Sequence, residues 1–127
     1  MRDDDNTTKT LYLIRGLPGS GKTTLAEVLT EHRYSSDDGA GTGQRSMDLQ
    51  RALGDDCYGR CQMGMERGET PIAVHNCFVG HESMERYKDL AWLYGYRVSV
   101  LAMQNEYESV HDVPAETTRR MRASWEW

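Results

Sequence analysis

The sequence predicts an α/β fold in which a small, mostly parallel sheet of about four strands lies between layers of helices. Two observations support this prediction. Short apolar segments alternate with amphipathic ones along the chain, and alternating strands and helices are typical of a parallel sheet covered on both faces. A glycine-rich motif also joins the first predicted strand to the first predicted helix. The length of 127 residues suits one domain.

A glycine-rich segment, Gly16–Thr23, matches the pattern G-x-x-x-x-G-K-[ST] of the phosphate-binding P-loop. A buried strand is predicted before it at Lys9–Arg15, and a helix is predicted after it at Thr24–His32. Three apolar residues lie on one face of that helix: Leu25, Val28 and Leu29. Glycines allow a backbone to wrap a phosphate, and a helix N-terminus attracts its charge. The motif in this context predicts a three-layer P-loop NTPase fold, and a glycine turn that binds nothing is the alternative.

The same segment predicts a site for a nucleoside triphosphate, with ATP and Mg²⁺ as cofactors. The predicted cofactor-binding residues are Gly16, Pro18, Gly19, Ser20, Gly21, Lys22, Thr23 and Thr24. Lys22 would place a full positive charge near the β- and γ-phosphates, where it would also serve catalysis. The Thr23 hydroxyl stands at the position that ligates Mg²⁺ in such loops.

Further alternation of strands and helices is predicted after this motif. A short strand is predicted at Tyr34–Ser36 and delivers Asp37 and Asp38 at its end, before a glycine-containing loop at Asp38–Gly43. A long helix is predicted at Ser46–Glu66. Residues four apart on it form a stripe that is expected to face the core: Leu49, Leu53, Cys57, Cys61 and Met65.

The second half of the chain predicts two more strands and two more helices. In order, these are a strand at Pro71–His75, a helix at Glu82–Tyr94, a strand at Tyr96–Ala102 and a helix from Pro114 toward Trp127. Gly95 is expected to end the first of these helices, and a proline suits the first position of the last one. The polar stretch Gln104–Asp112 predicts a turn-rich connection.

Charge and cysteine content restrict the class of protein. The chain has 15 basic and 20 acidic residues and a net charge of −5, which argues against broad coating of nucleic acid but not against one local basic groove. The three cysteines, Cys57, Cys61 and Cys77, have neither the even count of a disulfide framework nor the spacing of a zinc ribbon. Reduced thiols are therefore expected, with Cys57 and Cys61 packed in the core rather than bound to metal.

Residues 1–8 are polar, contain three consecutive aspartates and predict a disordered acidic tail before a single domain at 9–127. They lack the apolar segment of a signal peptide, and no stretch approaches the length of a transmembrane helix. A cytoplasmic location without a membrane partner is expected.

Two acidic residues follow the second predicted strand, at the edge where parallel sheets place ligands. A carboxylate beside a γ-phosphate can hold Mg²⁺ or accept the proton of an attacking hydroxyl. Asp37 is the first candidate for the general base. Asp38 is the second, and it is also a candidate metal ligand together with Thr23. Because Ser and Asp favour turns, an ordinary turn at Ser36–Gly39 is the alternative.

The order of these segments resembles that of polynucleotide-kinase-like P-loop kinases and, more distantly, of zeta toxins. The resemblance extends from about Thr10 across nearly the whole chain. It is carried by the P-loop, Ser35–Asp38, Asn76 after the third strand, Glu85–Leu101, and a last helix with Val113-Pro114 and Arg120-Met121. The resemblance implies that Lys22 and Thr23 hold ATP with Mg²⁺, and that Asp37 is the general base that activates a 5′-hydroxyl.

The segment after the third strand departs from the family pattern. That pattern is Asp-Asn-Thr-Asn, whereas this chain has His75-Asn76-Cys77-Phe78. The acidic position is therefore occupied by His75. Its side chain is expected to be either a neutral hydrogen-bonding partner or a buried core residue.

The predicted lid also departs from the family pattern, because Glu108 stands where the family has an arginine. Three further acidic residues surround this position: Glu106, Asp112 and Glu116. In P-loop enzymes that use one, such an arginine is worth about 10³–10⁵ in rate. Arg119, Arg120 or Arg122 on the last helix would have to replace it, and Arg45 is a candidate for the acceptor side. An exposed helix face near a C-terminus is the alternative for the helix arginines.

Two classes of function follow from these observations. The first is a kinase that transfers the γ-phosphate of ATP to a hydroxyl, with a polynucleotide 5′-hydroxyl as the favoured acceptor. The alternative is a catalytically impaired nucleotide-binding module that binds a protein partner, such as a viral effector or antidefence protein. A nucleotide-regulated toxin is a third interpretation, by analogy alone.

Overall fold

The computed structural model describes residues 8–38, 46–105 and 115–127. The elements in chain order are β1 (Lys9–Gly16), α1 (Lys22–Leu29), β2 (His32–Tyr34), α2 (Met47–Glu66), β3 (Ile72–His75), α3 (Glu82–Tyr94), β4 (Tyr96–Met103) and α4 (Ala115–Ala123). The predicted α/β class is confirmed. Of the predicted N-terminal tail, only Thr8 is among the described residues.

The four strands form one sheet in the order β2-β3-β1-β4, and every pair is parallel. Leu11 of β1 is in register with Ile72 of β3 and with Val98 of β4. Parallel pairing brings the carboxyl ends of all strands to one edge. The segments that follow β1, β2 and β3 therefore lie together at that edge.

Helices cover both faces of the sheet, as the three-layer prediction requires. On one face, side chains of β1 and β3 pack with α2 and α3 in a core that includes Leu11, Val74 and Tyr87. On the other face, Ile14 and Ala73 pack with Ala26 of α1. Successive residues of β1 thus alternate between the two helix layers, as the pleat of a strand demands.

The predicted packing of the two helical cysteines is confirmed, because Cys57 and Cys61 are fully buried among core residues. Burial raises the pKa of both thiols, and that of Cys61 to about 12. The stripe to which they belong faces the core only in its second half. Leu49 is exposed and Leu53 is half-buried, so the predicted contact of Leu49 with the core is wrong.

The first helix is shorter than predicted, since it ends at Leu29 rather than His32. Thr30 takes an extended backbone conformation, and its hydroxyl donates to Pro71 O (2.7 Å) and accepts from His32 N (3.0 Å). Val28, predicted to share an apolar face with Leu25 and Leu29, is 77% exposed. Only the other two pack partly against the core.

The second strand lies two residues earlier than predicted, at His32–Tyr34 instead of Tyr34–Ser36. The cause is local hydrogen bonding by short polar side chains, which competes with strand pairing. Ser35 Oγ accepts from Asp37 N at 3.1 Å, and Asp38 Oδ2 accepts from Ser35 N at 2.9 Å. Residues 35–38 therefore form a turn.

Later boundaries agree more closely with the prediction. Ser46 caps α2 by accepting from Leu49 N at 3.1 Å, α3 has its predicted bounds, and Gly95 ends it with φ 78°. The last helix is an exception, because it ends at Ala123 and does not reach Trp127. No helix in the described ranges has both the length and the apolarity that crossing a bilayer requires.

Candidate nucleotide-binding site

The glycine-rich loop, residues 16–23, connects the end of β1 to the start of α1 and contains every predicted cofactor-binding residue except Thr24, which follows it directly. Gly19 (φ 83°) and Gly21 (φ 95°) adopt left-handed conformations that L side chains rarely take. Gly16 is required for a different reason. A Cβ there would collide with Ser20 Oγ and lie 3.0 Å from Met103 O. The fold thus depends on the motif's glycines to form this loop.

The glycine-rich loop contains three kinds of hydrogen-bond donor. Ser20 is 1% exposed, yet its hydroxyl has no hydrogen-bond partner among the described residues. The N-cap of α1 is Gly21, which offers no side-chain cap to the first N–H groups of the helix. Lys22 Nζ donates to Gly16 O (2.8 Å) and Leu17 O (3.1 Å), so its ammonium lies against the loop backbone. These groups fit a bound phosphate.

His75 lies next to the loop, with its Nδ1 3.4 Å from Thr23 Oγ1. Its ring is 8% exposed, and burial lowers its pKa, an effect that Lys22 and Arg33 reinforce and the carboxylates of Asp38 and Asp37 oppose. The imidazole is therefore neutral at neutral pH. Both expectations for His75 are met, since it is buried and within reach of a hydrogen-bonding hydroxyl.

A metal site formed by protein ligands alone is not evident. The described ranges contain no group of three His, Cys, Asp or Glu side chains that could hold a metal ion. The Thr23 hydroxyl is an oxygen ligand suited to Mg²⁺, and Mg²⁺ commonly uses one or two protein groups together with substrate phosphates and water. The residues present thus fit a Mg²⁺ ion that arrives with a nucleotide.

The turn at residues 35–38 is held from two sides. From the segment after β3, Asn76 Oδ1 accepts from Ser36 N (2.8 Å) and Ser36 Oγ (3.1 Å). From α2, Arg60 donates to Asp38 Oδ2 (3.0 Å) and to Ser35 O (3.0 Å). The turn is therefore fixed beside the glycine-rich loop, since His75, the residue before Asn76, contacts Thr23.

Arg60 is a site residue that the sequence analysis missed. It also donates to Asp56 Oδ2, at 2.8 Å. Burial alone would lower the pKa of Arg60, but the hydrogen bonds and charges of Asp56 and Asp38 outweigh it and raise the pKa. The pair Asp56 and Arg60 has helical i,i+4 spacing, whereas nothing in the sequence connects Arg60 to Asp38, 22 residues away.

The two candidate carboxylates have different surroundings. One oxygen of Asp38 is engaged by both Arg60 and the backbone of Ser35. Asp37 is half-buried, and its N–H donates to Ser35 Oγ. Both carboxylates raise the pKa of His75, so the structure brings Asp37, Asp38 and His75 into one electrostatic environment. Residues 36–38 form the turn that was expected as the alternative, and both acids lie on it near His75, so their catalytic and metal-binding roles stay predictions.

The structure describes half of the arginines and acids considered for the lid and the acceptor side. Arg45, Glu106, Glu108 and Asp112 lie outside the described residues, as does Pro114. On α4, Glu116 and the three arginines Arg119, Arg120 and Arg122 are exposed. Arg120 donates to Thr117 Oγ1 of its own helix at 3.4 Å. In the described part of the chain, neither Arg119 nor Arg120 has a hydrogen bond or ion pair with the glycine-rich loop, so their proposed catalytic role stays a prediction.

No protein-family model matches the sequence. Among solved structures, the fold is similar to that of a "putative kinase" from Chloroflexus aurantiacus, with a TM-score of 0.61 and 21% identity over 76% of this chain and 58% of that one. It is also similar to a chain in the structure of the Pnkp1/Rnl/Hen1 complex, with a TM-score of 0.61 and 17% identity over 89% of this chain and 38% of that one. The chain thus spans less than two thirds of each neighbour. At these identities, the likeness concerns the fold alone, an α/β arrangement with a parallel sheet between helix layers.

Proposed function

We propose that this protein binds a nucleoside triphosphate, with ATP favoured, at the glycine-rich loop and transfers the γ-phosphate to a hydroxyl acceptor. The observation that carries this proposal is the set of donors on the loop. The Lys22 ammonium, the buried Ser20 hydroxyl and the uncapped start of α1 all lie within residues 16–23. Phosphate oxygens are the acceptors that such a set requires.

Asp37 is the proposed general base. In the transfer, the acceptor's hydroxyl proton passes to the Asp37 carboxylate while the hydroxyl oxygen forms a bond to the γ-phosphorus. The bond from that phosphorus to the bridging oxygen of the β-phosphate breaks, and the nucleoside diphosphate leaves. Lys22 neutralises charge on the phosphates, and Mg²⁺ on Thr23 would add to that neutralisation.

A polynucleotide 5′-hydroxyl is the favoured acceptor. The support is the order of motifs, which resembles polynucleotide-kinase-like P-loop kinases, and the Ser35–Asp38 turn that holds the proposed base. The similarity of fold to a chain of the Pnkp1/Rnl/Hen1 complex is consistent with this class. The net charge of −5 requires the contact with nucleic acid to be local.

A second candidate function is a catalytically impaired nucleotide-binding module that acts by binding a protein partner, such as a viral effector or antidefence protein. The observation that favours it is His75. A buried neutral imidazole occupies the place where the related kinases have a carboxylate, and it offers no negative charge to a metal ion or its water ligands. The two functions share nucleotide binding and differ in turnover.

Calorimetry with ATP and Mg²⁺ tests the shared step. We expect saturable binding that Lys22→Ala weakens about 10- to 150-fold, which is the worth of a charge-assisted hydrogen bond. Lys88→Ala is the matched control, because Lys88 lies on α3 and pairs with Glu85 at 3.3 Å. Equal affinities of wild type and Lys22→Ala would overturn the proposal.

Transfer from labelled ATP to an oligonucleotide with a 5′-hydroxyl separates the two functions. An oligonucleotide that already carries a 5′-phosphate is the control acceptor. Label on the first oligonucleotide alone supports the kinase. Binding of ATP without transfer to any hydroxyl acceptor supports the binding module instead.

A further inference from the structure

A buried arginine lies immediately before the glycine-rich loop. Arg15 is 2% exposed, and its guanidinium donates to Phe78 O through both Nε (3.0 Å) and Nη2 (2.8 Å). The same Nη2 also donates to Val79 O (3.1 Å) and to Glu126 O. The charge of Arg15 is therefore surrounded by backbone carbonyls from two distant parts of the chain.

The C-terminal segment, residues 124–127, closes over this arginine. The Trp125 ring stacks on the guanidinium, with 4.1 Å from Cζ to the ring centroid. The indole N–H of Trp125 is buried and makes no hydrogen bond within the described ranges. The ring also makes an edge contact with the Trp127 ring (5.5 Å between centroids), so within residues 124–127 and Arg15 it is held by the cation–π contact and by this neighbouring ring.

The C-terminal segment is also bonded to residues 78–81, which connect β3 to α3. Glu126 N donates to Val79 O at 2.8 Å, and His81 N donates to Glu126 Oε1 at 2.8 Å. Gly80 leaves little space between them, since a Cβ there would lie 3.2 Å from Glu126 Oε1. Three separate parts of the chain thus meet at Arg15.

This cluster borders the loop directly. Gly16, the next residue after Arg15, donates its N–H to Cys77 O at 3.1 Å. Phe78, whose carbonyl accepts from Arg15, has φ 47°, a conformation that is costly for a residue with a Cβ. Arg15 therefore holds a strained residue in place on the segment that supports the first residue of the loop.

We propose that Arg15 and Trp125 are positioning residues, which fix the glycine-rich loop in its phosphate-binding conformation by fastening the C-terminal segment to the end of β1. The inference rests on the proposed nucleotide binding. Neither residue is expected to contact the nucleotide. If the contact between Arg15 and the C-terminal segment improves nucleotide binding by some factor, then by linkage a bound nucleotide stabilises that contact by the same factor.

The test compares Trp125→Leu with Trp92→Leu, because Trp92 is 83% exposed on α3 and its loss removes an equal side chain elsewhere. At temperatures well below unfolding, Trp125→Leu is expected to weaken ATP binding about three- to thirtyfold, the range of a cation–π contact. Trp92→Leu should leave the affinity unchanged. Trp125→Phe keeps a ring over Arg15 and should therefore bind ATP with nearly the affinity of wild type. If Trp125→Leu does not fold, Trp125→Phe is used in its place for the comparison with wild type.

Hydrogen exchange and amide resonances distinguish positioning of the glycine-rich loop from a contribution to stability alone. In wild type, saturating ATP with Mg²⁺ should slow hydrogen exchange of the Glu126 N–H by the factor by which Trp125→Leu weakens ATP binding. Without nucleotide, the amide resonances of Gly16, Gly19 and Gly21 should shift in Trp125→Leu and not in Trp92→Leu.

A lower melting temperature with unchanged affinity and unchanged glycine resonances would overturn the inference. If wild type does not bind ATP, the proposed function fails, and the glycine resonances alone decide whether the loop is positioned in this way.

Discussion

Individual side chains determine which charges a substrate would meet at this site. Lys22 already donates to two loop carbonyls, so its ammonium is held at the loop before any ligand arrives. His75 is neutral and contacts Thr23, and Asp38 is engaged by Arg60. Asp37, the proposed general base, is half-buried on the same turn, and its carboxylate raises the pKa of His75 together with that of Asp38.

Substitution of the two acids separates these roles. Asp37→Asn removes the proton acceptor without removing a phosphate contact, so kcat should fall about 10²- to 10⁴-fold while ATP affinity is retained. Asp38→Asn should instead lower the free energy of unfolding, because it weakens the pair with Arg60. Steady-state kinetics and chemical denaturation of both variants check this. Loss of ATP affinity with an unchanged kcat in Asp37→Asn would show that Asp37 contributes to nucleotide binding and is not the general base.

At the scale of elements, α2 reaches across one face of the sheet and fixes the turn after β2 through Arg60. The turn itself has no regular hydrogen-bond ladder, so its conformation depends on this helix and on Asn76 of the neighbouring segment. An enzyme that needs a carboxylate within reach of a phosphate requires such support, since small displacements of a catalytic group reduce the rate strongly.

Arg60→Gln should therefore reduce transfer more than it reduces nucleotide binding. Arg86→Gln is the matched control, because Arg86 of α3 likewise joins its helix to another part of the chain, donating to Asp55 Oδ1 (3.0 Å) and Gly54 O (2.7 Å) of α2, but has no hydrogen bond to the turn. Both variants should lose about 1–3 kcal/mol of unfolding free energy. Only Arg60→Gln should lower kcat. Equal kinetics of the two variants would argue against a role for Arg60 at the site.

The success of the sequence prediction varied with the range of the interactions involved. The bounds of α3 and its end at Gly95 follow from local periodicity and a glycine cap, and the glycine-rich loop follows from its motif. The position of β2 was wrong because Ser35 and Asp38 bond to nearby backbone instead of extending the strand. The contact of Arg15 with Glu126 joins residues 111 positions apart, and no local pattern indicates it.

At the scale of the whole molecule, one carboxylate connects several elements. Glu69, between α2 and β3, accepts hydrogen bonds from Tyr34 of β2 and from Arg67 (3.0 Å), and lies 3.6 Å from His32. Its backbone carbonyl accepts from Tyr96 of β4 at 2.6 Å. Burial and the bond to Glu69 raise the pKa of Tyr34 to about 12, so Tyr34 remains a donor at any physiological pH.

This cluster predicts how stability depends on pH. Burial alone would raise the pKa of Glu69, but the hydrogen bonds from Tyr34 and Arg67 and the charges of Arg67 and His32 lower it below its usual 4.5. A lowered pKa means that the folded state binds this proton less readily than the unfolded state. The stabilisation is therefore complete above the usual pKa and is lost as the pH falls through the lowered one.

Glu69→Gln tests this by removing the charge while keeping the shape. At neutral pH it should cost about 1–3 kcal/mol of unfolding free energy, because the half-buried Tyr34 hydroxyl loses a charged acceptor. The difference between wild type and variant should stay constant above the usual pKa of 4.5 and shrink over the pH interval below it, since folded Glu69 takes up its proton only there. Urea denaturation across the interval measures it.

Glu85→Gln, at an exposed i,i+3 pair with Lys88, should show little difference at any pH. A difference at Glu69 that stays constant with pH would mean that its contribution is steric rather than electrostatic.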